Sequence, residues 1–474
     1  MKNNNGIYDF LSKHNNQGPV SFHMPGHKGS SFYLENGYGD FISNMVDYDI
    51  TEIPGADNLF QTEGIILSTM EKYEELYNSK HTHLLINGSS VGLIAAMMTV
   101  VEEGEKIIMA RNCHKSIFNG LSLGKIEPVY AYPDIIEEYG ISGQISRREI
   151  LRCFEENPDA KAVILPSPNY YGITSDIKEI AEEVHRRGKV LIVDQAHGAH
   201  LKLFDRCINN NRGRLSAEEQ GADVVINSTH KTLASFTQSA IVNIMSDRVD
   251  NQVFADKLQL IESTSPSYIL LASLDINADI IRENGEELIK SWDDNLKYFY
   301  KNAKEIRGLS VMEDPNLDYT KINLDMGSLG IDGLELERLL MRKNIYVELV
   351  TGNIVMCMTG IGNKRYDFDR LLEALREISL NTKGELILEK KSINSTINKK
   401  LKLVKLPQKK EKVHISKAYG RVCGTSLIPY PPGIPIICTG EVMDKEVLEY
   451  VQGLREQGEK VMGIDEDGFV TVGI

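Results

Sequence analysis

The chain has 474 residues, 42% hydrophobic and 25% charged, enough for about three domains with a sizeable core and no need of disulfide or metal staples. Its 67 acidic against 53 basic side chains leave a formal charge of −14, which repels nucleic acid and anionic membrane, so neither is expected as a partner. The longest uncharged apolar stretch, Val91 to Val101, is too short to span a membrane, Met1 to Gly6 carry no apolar signal region, and the six cysteines include no C-x-x-C pair; a cytoplasmic protein with reduced thiols and no metal centre is expected.

From about Gly64 to Val242 apolar strand-like runs alternate with helical ones, the rhythm of an α/β protein with a mostly parallel, doubly wound sheet. Strands are expected at His83–Ile86, Lys106–Ala110, Lys161–Leu165, Lys189–Val193 and Asp223–Asn227. The spacing of Ile177, Ile180, Ala181 and Val184 predicts a helix over Asp176 to Arg187, with Ser175 as its N-cap and Gly188 as its stop. Near Ser273 a long helical pattern through Trp292 and Tyr298 leads into a smaller α+β region with strands at Thr320–Leu324 and Ile345–Leu349. Residues 389–412 hold nine lysines and Pro407 and read as a solvated linker. Beyond them, Tyr430-Pro431-Pro432-Gly433-Ile434-Pro435 predicts a rigid turn at the rim of a third small domain.

Three strand ends collect polar residues where a sheet of this type binds ligands. Asn87-Gly88-Ser89-Ser90-Val91-Gly92 opens a helix with small hydroxyl residues and free N–H groups, which serve either as a phosphate cradle or as a plain helix cap. Asp194-Gln195-Ala196-His197-Gly198-Ala199-His200 places an acid at a strand terminus beside the small Ala196. The two histidines lack a third ligand, which disfavours a metal. Ser228-Thr229-His230-Lys231-Thr232 brings a lone lysine to the same edge. Pyridoxal phosphate uses all three features: a lysine for its Schiff base, an acid at its pyridine nitrogen, and hydroxyl and N–H groups at its phosphate. His114, after another strand, is either a ring-stacking imidazole or a structural one. Cys113 beside it reads as a buried, inert thiol.

Together with Phe22-His23-Met24-Pro25-Gly26-His27-Lys28, the stretch Asp49 to Leu59, the turn Ser167 to Gly172 and the proline-rich segment ending at Gly440-Glu441, these motifs resemble the Orn/Lys/Arg decarboxylase family over nearly the whole chain. The resemblance implies a fold-type I, aspartate aminotransferase-like large domain with smaller α+β C-terminal domains. It divides the chain into an N-terminal segment (1–60) at a dimer interface, a cofactor-binding large domain (61–273), a small α+β domain (274–388), the linker (389–412) and a C-terminal decarboxylase domain (413–474). The resemblance is to the short form, in which the response-regulator-like N-terminal domain of larger members is expected to be absent.

The resemblance makes Lys231 the Schiff-base lysine, Asp194 the partner of the pyridine nitrogen and His114 the stacking residue. Ser89, Ser90 and Ser228 would hold the phosphate beside Ala196, with His230 and His197 at the reacting centre. It implies pyridoxal 5′-phosphate as cofactor, and decarboxylation of a basic amino acid, arginine or lysine before ornithine, to the corresponding polyamine-pathway amine. A homodimer or dimer of dimers, with the site at the subunit interface, is implied too. A cationic substrate tail needs a carboxylate, for which Glu52, Asp57 and Glu441 are the candidates. Gln195 departs from the pattern, which favours an acid there. The competing expectations are another reaction on the same scaffold, such as transamination with Arg365 as carboxylate clamp or cyclisation of an arginine derivative, and a catalytically silent regulator.

Overall fold

The computed structural model describes residues 6–208, 214–382, 399–404, 409–429, 433–456, 458 and 460–474. After a short strand β1 (Val20–Phe22), seven strands build the central sheet: β2 (His81–Leu85), β3 (Lys106–Ala110), β4 (Glu127–Ala131), β5 (Ala162–Pro166), β6 (Val190–Asp194), β7 (Val224–Asn227) and β8 (Ala240–Ile244). Their order across the sheet is β2-β8-β7-β6-β5-β3-β4. All neighbours are parallel except that β8 runs antiparallel to both β2 and β7. The apolar runs explain the central strands: Ile107–Ala110, Val163–Leu165, Leu191–Val193 and Val224–Ile226 are all buried, so both faces of the sheet are covered. The carboxyl ends of β3, β5, β6 and β7 lie along one edge.

Of the five expected strands Lys106–Ala110 has the expected bounds and the other four have ends shifted by a residue or two; β4 and β8 are not among those expected. The expected helix runs Ile177–Arg186, but its cap is Asp176, whose side chain accepts from Glu179 N at 3.3 Å. Ser175 is drawn away because its hydroxyl accepts from Ile145 N at 2.9 Å.

A 36-residue helix, Tyr268–Ala303, carries the chain out of the large domain, so the expected boundary at 273/274 falls inside one continuous element. Beyond it β9 (Ser310–Val311), β10 (Lys321–Asp325), β11 (Ile345–Val347), β12 (Leu349–Thr351) and β13 (Ile354–Met358) follow. Of these, β9-β10-β13-β12 form an antiparallel sheet. Strand β11 instead pairs in parallel with β1. The N-terminal segment is therefore docked on its own subunit's small domain. Gly26 N–H donates to the His230 carbonyl at 2.8 Å, Gly362 N–H donates to the Gly26 carbonyl at 3.0 Å, and the loop lies between the turn that carries Lys231 and the small domain.

The third unit pairs β14 (Lys410–His414) with β15 (Phe469–Gly473) and packs the helix Lys445–Glu456 over a separate core of Ile415, Leu427, Val447 and Val451. The linker is shorter than 389–412. Val404 N–H donates to the Gly440 carbonyl and Lys410 to Lys412 belong to β14, because alternate lysines of an edge strand can face water while its backbone pairs. The remainder of the linker, 389–398 and 405–408, and Tyr430 to Pro432 of the proline-rich turn lie outside the described residues. Among those described, no helix is long and apolar enough to cross a membrane.

Gly26 has no room for a side chain: a Cβ there would stand 2.3 Å from the Leu233 carbonyl oxygen. Backbone cannot yield as a flexible side chain does, so Gly26→Ala is expected to cost about 1–3 kcal/mol and lower the denaturation midpoint. Gly453→Ala, in open space on the helix Lys445–Glu456, should leave the midpoint unchanged or raise it slightly.

Candidate active site

The strand ends converge on one cavity, lined among others by Ser89, Asn112, His114, Asn169, Tyr170, Asp194, Ala196, His197 and Lys231. Each arrives for a local reason. Glu262 accepts from the N–H groups of Ile86 (2.7 Å) and Asn87 (3.1 Å), fixing the loop that follows β2. Gly88 then takes φ 79°, a left-handed conformation that glycine adopts at little cost, and the helix Ser89–Val100 starts with its free N–H groups at the cavity. His114 caps the helix Lys115–Gly124 through Nδ1, which accepts from Ser116 N at 3.3 Å.

Lys231 Nζ lies 2.9 Å from His197 Nε2, and 5.8 Å from the ring centre of Tyr170. Tyr170 packs on His197 with ring centres 4.4 Å apart. Burial pushes the Lys231 ammonium below its ordinary range, Asp194 and Glu348 pull it back up, and the cation of Lys321 adds to the lowering. Burial likewise pushes the Asp194 carboxyl up, against the pull of Lys231 and of the Ala196 N–H, which donates to Asp194 Oδ1 at 3.1 Å. His197 is held well below the usual imidazole range by burial first and by Lys231 and Lys321 next. His114 is lowered to about 3, again by burial and then by Lys231.

These groups fit pyridoxal phosphate. Ser228 Oγ and Asn112 Oδ1 are buried with no hydrogen-bond partner in the described structure, and the helix Ser89–Val100 presents its N–H end to the same cavity. An amine with a lowered affinity for protons, an acid held by a single described hydrogen bond and a flat imidazole complete the set that the cofactor needs. Ser90, Ser228 and His230 stand outside the cavity wall, though the Ser228 backbone belongs to the turn that carries Lys231. His230 Nδ1 donates to the Ser239 carbonyl at 2.7 Å, which anchors its ring, while its charge still bears on His197. His200 is likewise spent elsewhere, 3.2 Å from Asp318 Oδ1.

The three carboxylates expected at the substrate tail are not brought together. Glu52 is exposed on its loop. Asp57 accepts from the N–H groups of Asn58 (2.8 Å), Glu63 (3.0 Å), Gly64 (2.9 Å) and Ile66 (3.0 Å), and so serves the start of the helix Ile65–Tyr77. Glu441 is fully buried and takes Arg111 in a fork, with Nε–Oε1 3.1 Å and Nη2–Oε2 2.9 Å. Arg111 also donates to the carbonyls of Pro435 (2.6 Å) and Ile436 (2.9 Å), so the pair bolts the third unit to the large domain. Gln195 turns away from the cavity: its amide donates to Glu218 (2.8 Å) and Asn227 (3.0 Å) and its oxygen accepts from Ala217 N (2.7 Å). A second carboxylate at 195 would face that of Glu218. Arg365 is occupied too, donating to Asn295 at 2.8 Å with its guanidinium 3.9 Å from the Tyr298 ring centre. It is no free carboxylate clamp.

Two residues escaped the sequence reading. Glu348, between β11 and β12, accepts from Met24 N at 2.9 Å, is pushed up by burial and feels Lys231, Lys28 and Lys321. Lys321 is fully buried on β10 beside His197. The available signal was a single ionisable residue inside each of two apolar strand runs, Ile345 to Thr351 and Lys321 to Leu324.

A family model described as Orn/Lys/Arg decarboxylase, major domain, matches residues 5–322, and one described as Orn/Lys/Arg decarboxylase, C-terminal domain, matches residues 396–468. The chain is 32% identical to the uncharacterized protein YaaO of Bacillus subtilis (strain 168), covering 97% of this chain and 96% of the relative. It is 30% identical to the arginine decarboxylase of the same strain, covering 97% and 95%. Its fold is similar to that of lysine decarboxylase A from Pseudomonas aeruginosa, with a TM-score of 0.76, 19% identity and coverage of 98% of this chain and 80% of that one. The architecture is the expected fold-type I one.

Two stability measurements follow from the site's own bonds. Glu441→Ala strands the buried Arg111 guanidinium and is expected to cost about 3–5 kcal/mol, seen as a lowered denaturation midpoint. The second concerns pH. The imidazoles of His27 and His230 are lowered to about 4, chiefly by burial, and that of His114 to about 3, from 6.5 in the unfolded chain. Between pH 6.5 and 4 the unfolded chain therefore binds more protons than the folded one, and stability is lost as pH falls through that window. The urea midpoint of the cofactor-free protein should drop from pH 7 to pH 5.

Proposed function

The chain belongs to the Orn/Lys/Arg decarboxylase family, and on that premise we propose that it removes the α-carboxyl group of arginine, with pyridoxal 5′-phosphate in the cavity at the strand ends. The observation that carries the reading is the meeting of Lys231, Asp194, His197 and His114 in one cavity. Pyridoxal phosphate, when bound, supplies a sink for the electron pair left as the carboxylate bond breaks.

The chain's own residues supply the rest. Lys231 Nζ, held towards its neutral form, is the amine that attaches the cofactor. Asp194 offers a carboxylate to a protonated pyridine nitrogen, which is worth most in a site shielded from water. His114 offers its ring face, and Ser89 with the partnerless Ser228 hydroxyl offers donors to the phosphate. Once Lys231 is free, its Nζ and His197 Nε2 can hold a proton between them and return it to the α-carbon.

Substrate choice rests on charge. Two carboxylates bear on Lys231, and with Asp194 assigned to the pyridine nitrogen and Asp57 and Glu441 spent on structure, Glu348 is the one left for a guanidinium tail. The arginine decarboxylase of Bacillus subtilis, at 30% identity over nearly the full length, supports arginine over the lysine named for the more distant structural neighbour. A homodimer is part of the same reading, supported by the exposed apolar side chains of Ile7, Tyr8, Val46 and Ile53.

Protein loaded with pyridoxal phosphate is expected to release carbon dioxide from arginine in preference to lysine and ornithine. Lys231→Ala should abolish release, and Glu348→Gln should raise the KM for arginine roughly ten- to a hundredfold. Preference for lysine or ornithine would overturn the choice of arginine, and release of none from the loaded protein would overturn decarboxylation of these substrates.

A further inference from the structure

The segment that carries Asp194 and His197 is gripped from the small domain by a buried charged cluster. Lys321 Nζ donates to the His197 carbonyl and to Asp318 Oδ2 at 2.7 Å, with Thr320 Oγ1 at 3.3 Å. Asp318 Oδ1 accepts from Thr320 N (3.1 Å) and Thr320 Oγ1 (2.8 Å) and lies 3.2 Å from His200 Nε2. The His200 ring packs against Trp292, whose Nε1 donates to Thr359 Oγ1 at 2.8 Å, while Thr359 donates in turn to the Thr320 carbonyl at 2.7 Å. Both His197 and His200 are therefore set by residues 318–321, and His197 in turn meets Lys231.

Scaffolding alone is a poor reason for such a cluster. A buried ammonium–carboxylate pair loses its hydration, and apolar residues of the same volume often hold a core as well or better. What apolar residues lack is a positive charge close to Lys231. We propose that Lys321, oriented by Asp318, is a positioning residue of the reaction: from the small domain it fixes His197 and supplies the charge that keeps the Lys231–His197 pair free of excess protons. The proposal rests on the reading of Lys231 as the cofactor-binding lysine.

The other groups facing the pair define what the charge works against. Asp194 at the end of β6 and Glu348 between β11 and β12 both favour a protonated Lys231; His114 and His230 bear on His197 from their own turns. Lys321 opposes the two carboxylates, and it lowers both members of the pair after burial has done so.

The test is a pair of variants, Lys321→Met and Asp318→Asn/Lys321→Met. In cofactor-free protein with 13C-labelled histidine, the His197 resonance, assigned with His197→Asn, should titrate at a higher pH in both variants than in wild type, by about one pH unit. In protein loaded with pyridoxal phosphate, the pH midpoint of the cofactor absorbance should rise in the same direction, and kcat for arginine should fall more than KM changes. The double variant leaves no unpaired buried carboxylate, so it keeps the test open if Lys321→Met folds poorly. A His197 midpoint unmoved in both variants overturns the proposal, whereas wild-type protein that forms no chromophore with pyridoxal phosphate overturns the reading of Lys231 and leaves the His197 result to stand on its own.

Discussion

The molecule is organised around a half-buried amine. Removing an ammonium from solvent is costly, and a protein that does so must either pair the charge or let the proton go. Here both tendencies are built in around Lys231. Asp194 and Glu348 offer countercharge, while burial and the Lys321 cation favour the free base. Burial and Lys321 thus weaken the hold of Lys231 on its proton, which favours the nucleophilic free base.

The balance needs parts from more than one domain. The large sheet delivers Lys231, Asp194 and His197, but Glu348 and Lys321 come from the small domain, and the N-terminal loop at Gly26 is hydrogen-bonded to both sides. The third unit touches the same edge through Arg111, whose backbone begins the turn that carries Asn112 and His114. Apolar packing joins the large and small domains, with Tyr171 and Ile173 against Leu317, Met356 and Met358, and buried hydrogen bonds run through the same junctions. Rotation of one unit therefore breaks specific hydrogen bonds as well as apolar contacts.

Much of this was legible in the sequence where chemistry and local pattern coincide. An apolar run ending in an acid, Val190 to Asp194, reads at once as a buried strand with a functional terminus, and Ser228 to Lys231 and Asn87 to Ser90 read the same way. What was not legible shares one cause. Asp57 and Glu441 look like carboxylates awaiting a cation, but their partners are backbone N–H groups and an arginine 330 positions away, neither of which leaves a local signature. The partner strand of the N-terminal motif, Ile345–Val347, likewise cannot be named from spacing alone. The antiparallel β8 escaped for a similar reason: direction within a sheet is decided by the neighbours, not by the strand's own residues.

The pairing of β1 with β11 also bears on how the chain is made. Val20 emerges from the ribosome early and its partner Ile345 much later, on the order of tens of seconds at ordinary synthesis rates. Until then the loop around Gly26 has half of its seat missing, and the turn bearing Lys231 stays uncovered on that side. The wall that the N-terminal loop gives to this side of the large domain is thus completed only by a strand made more than three hundred residues after it.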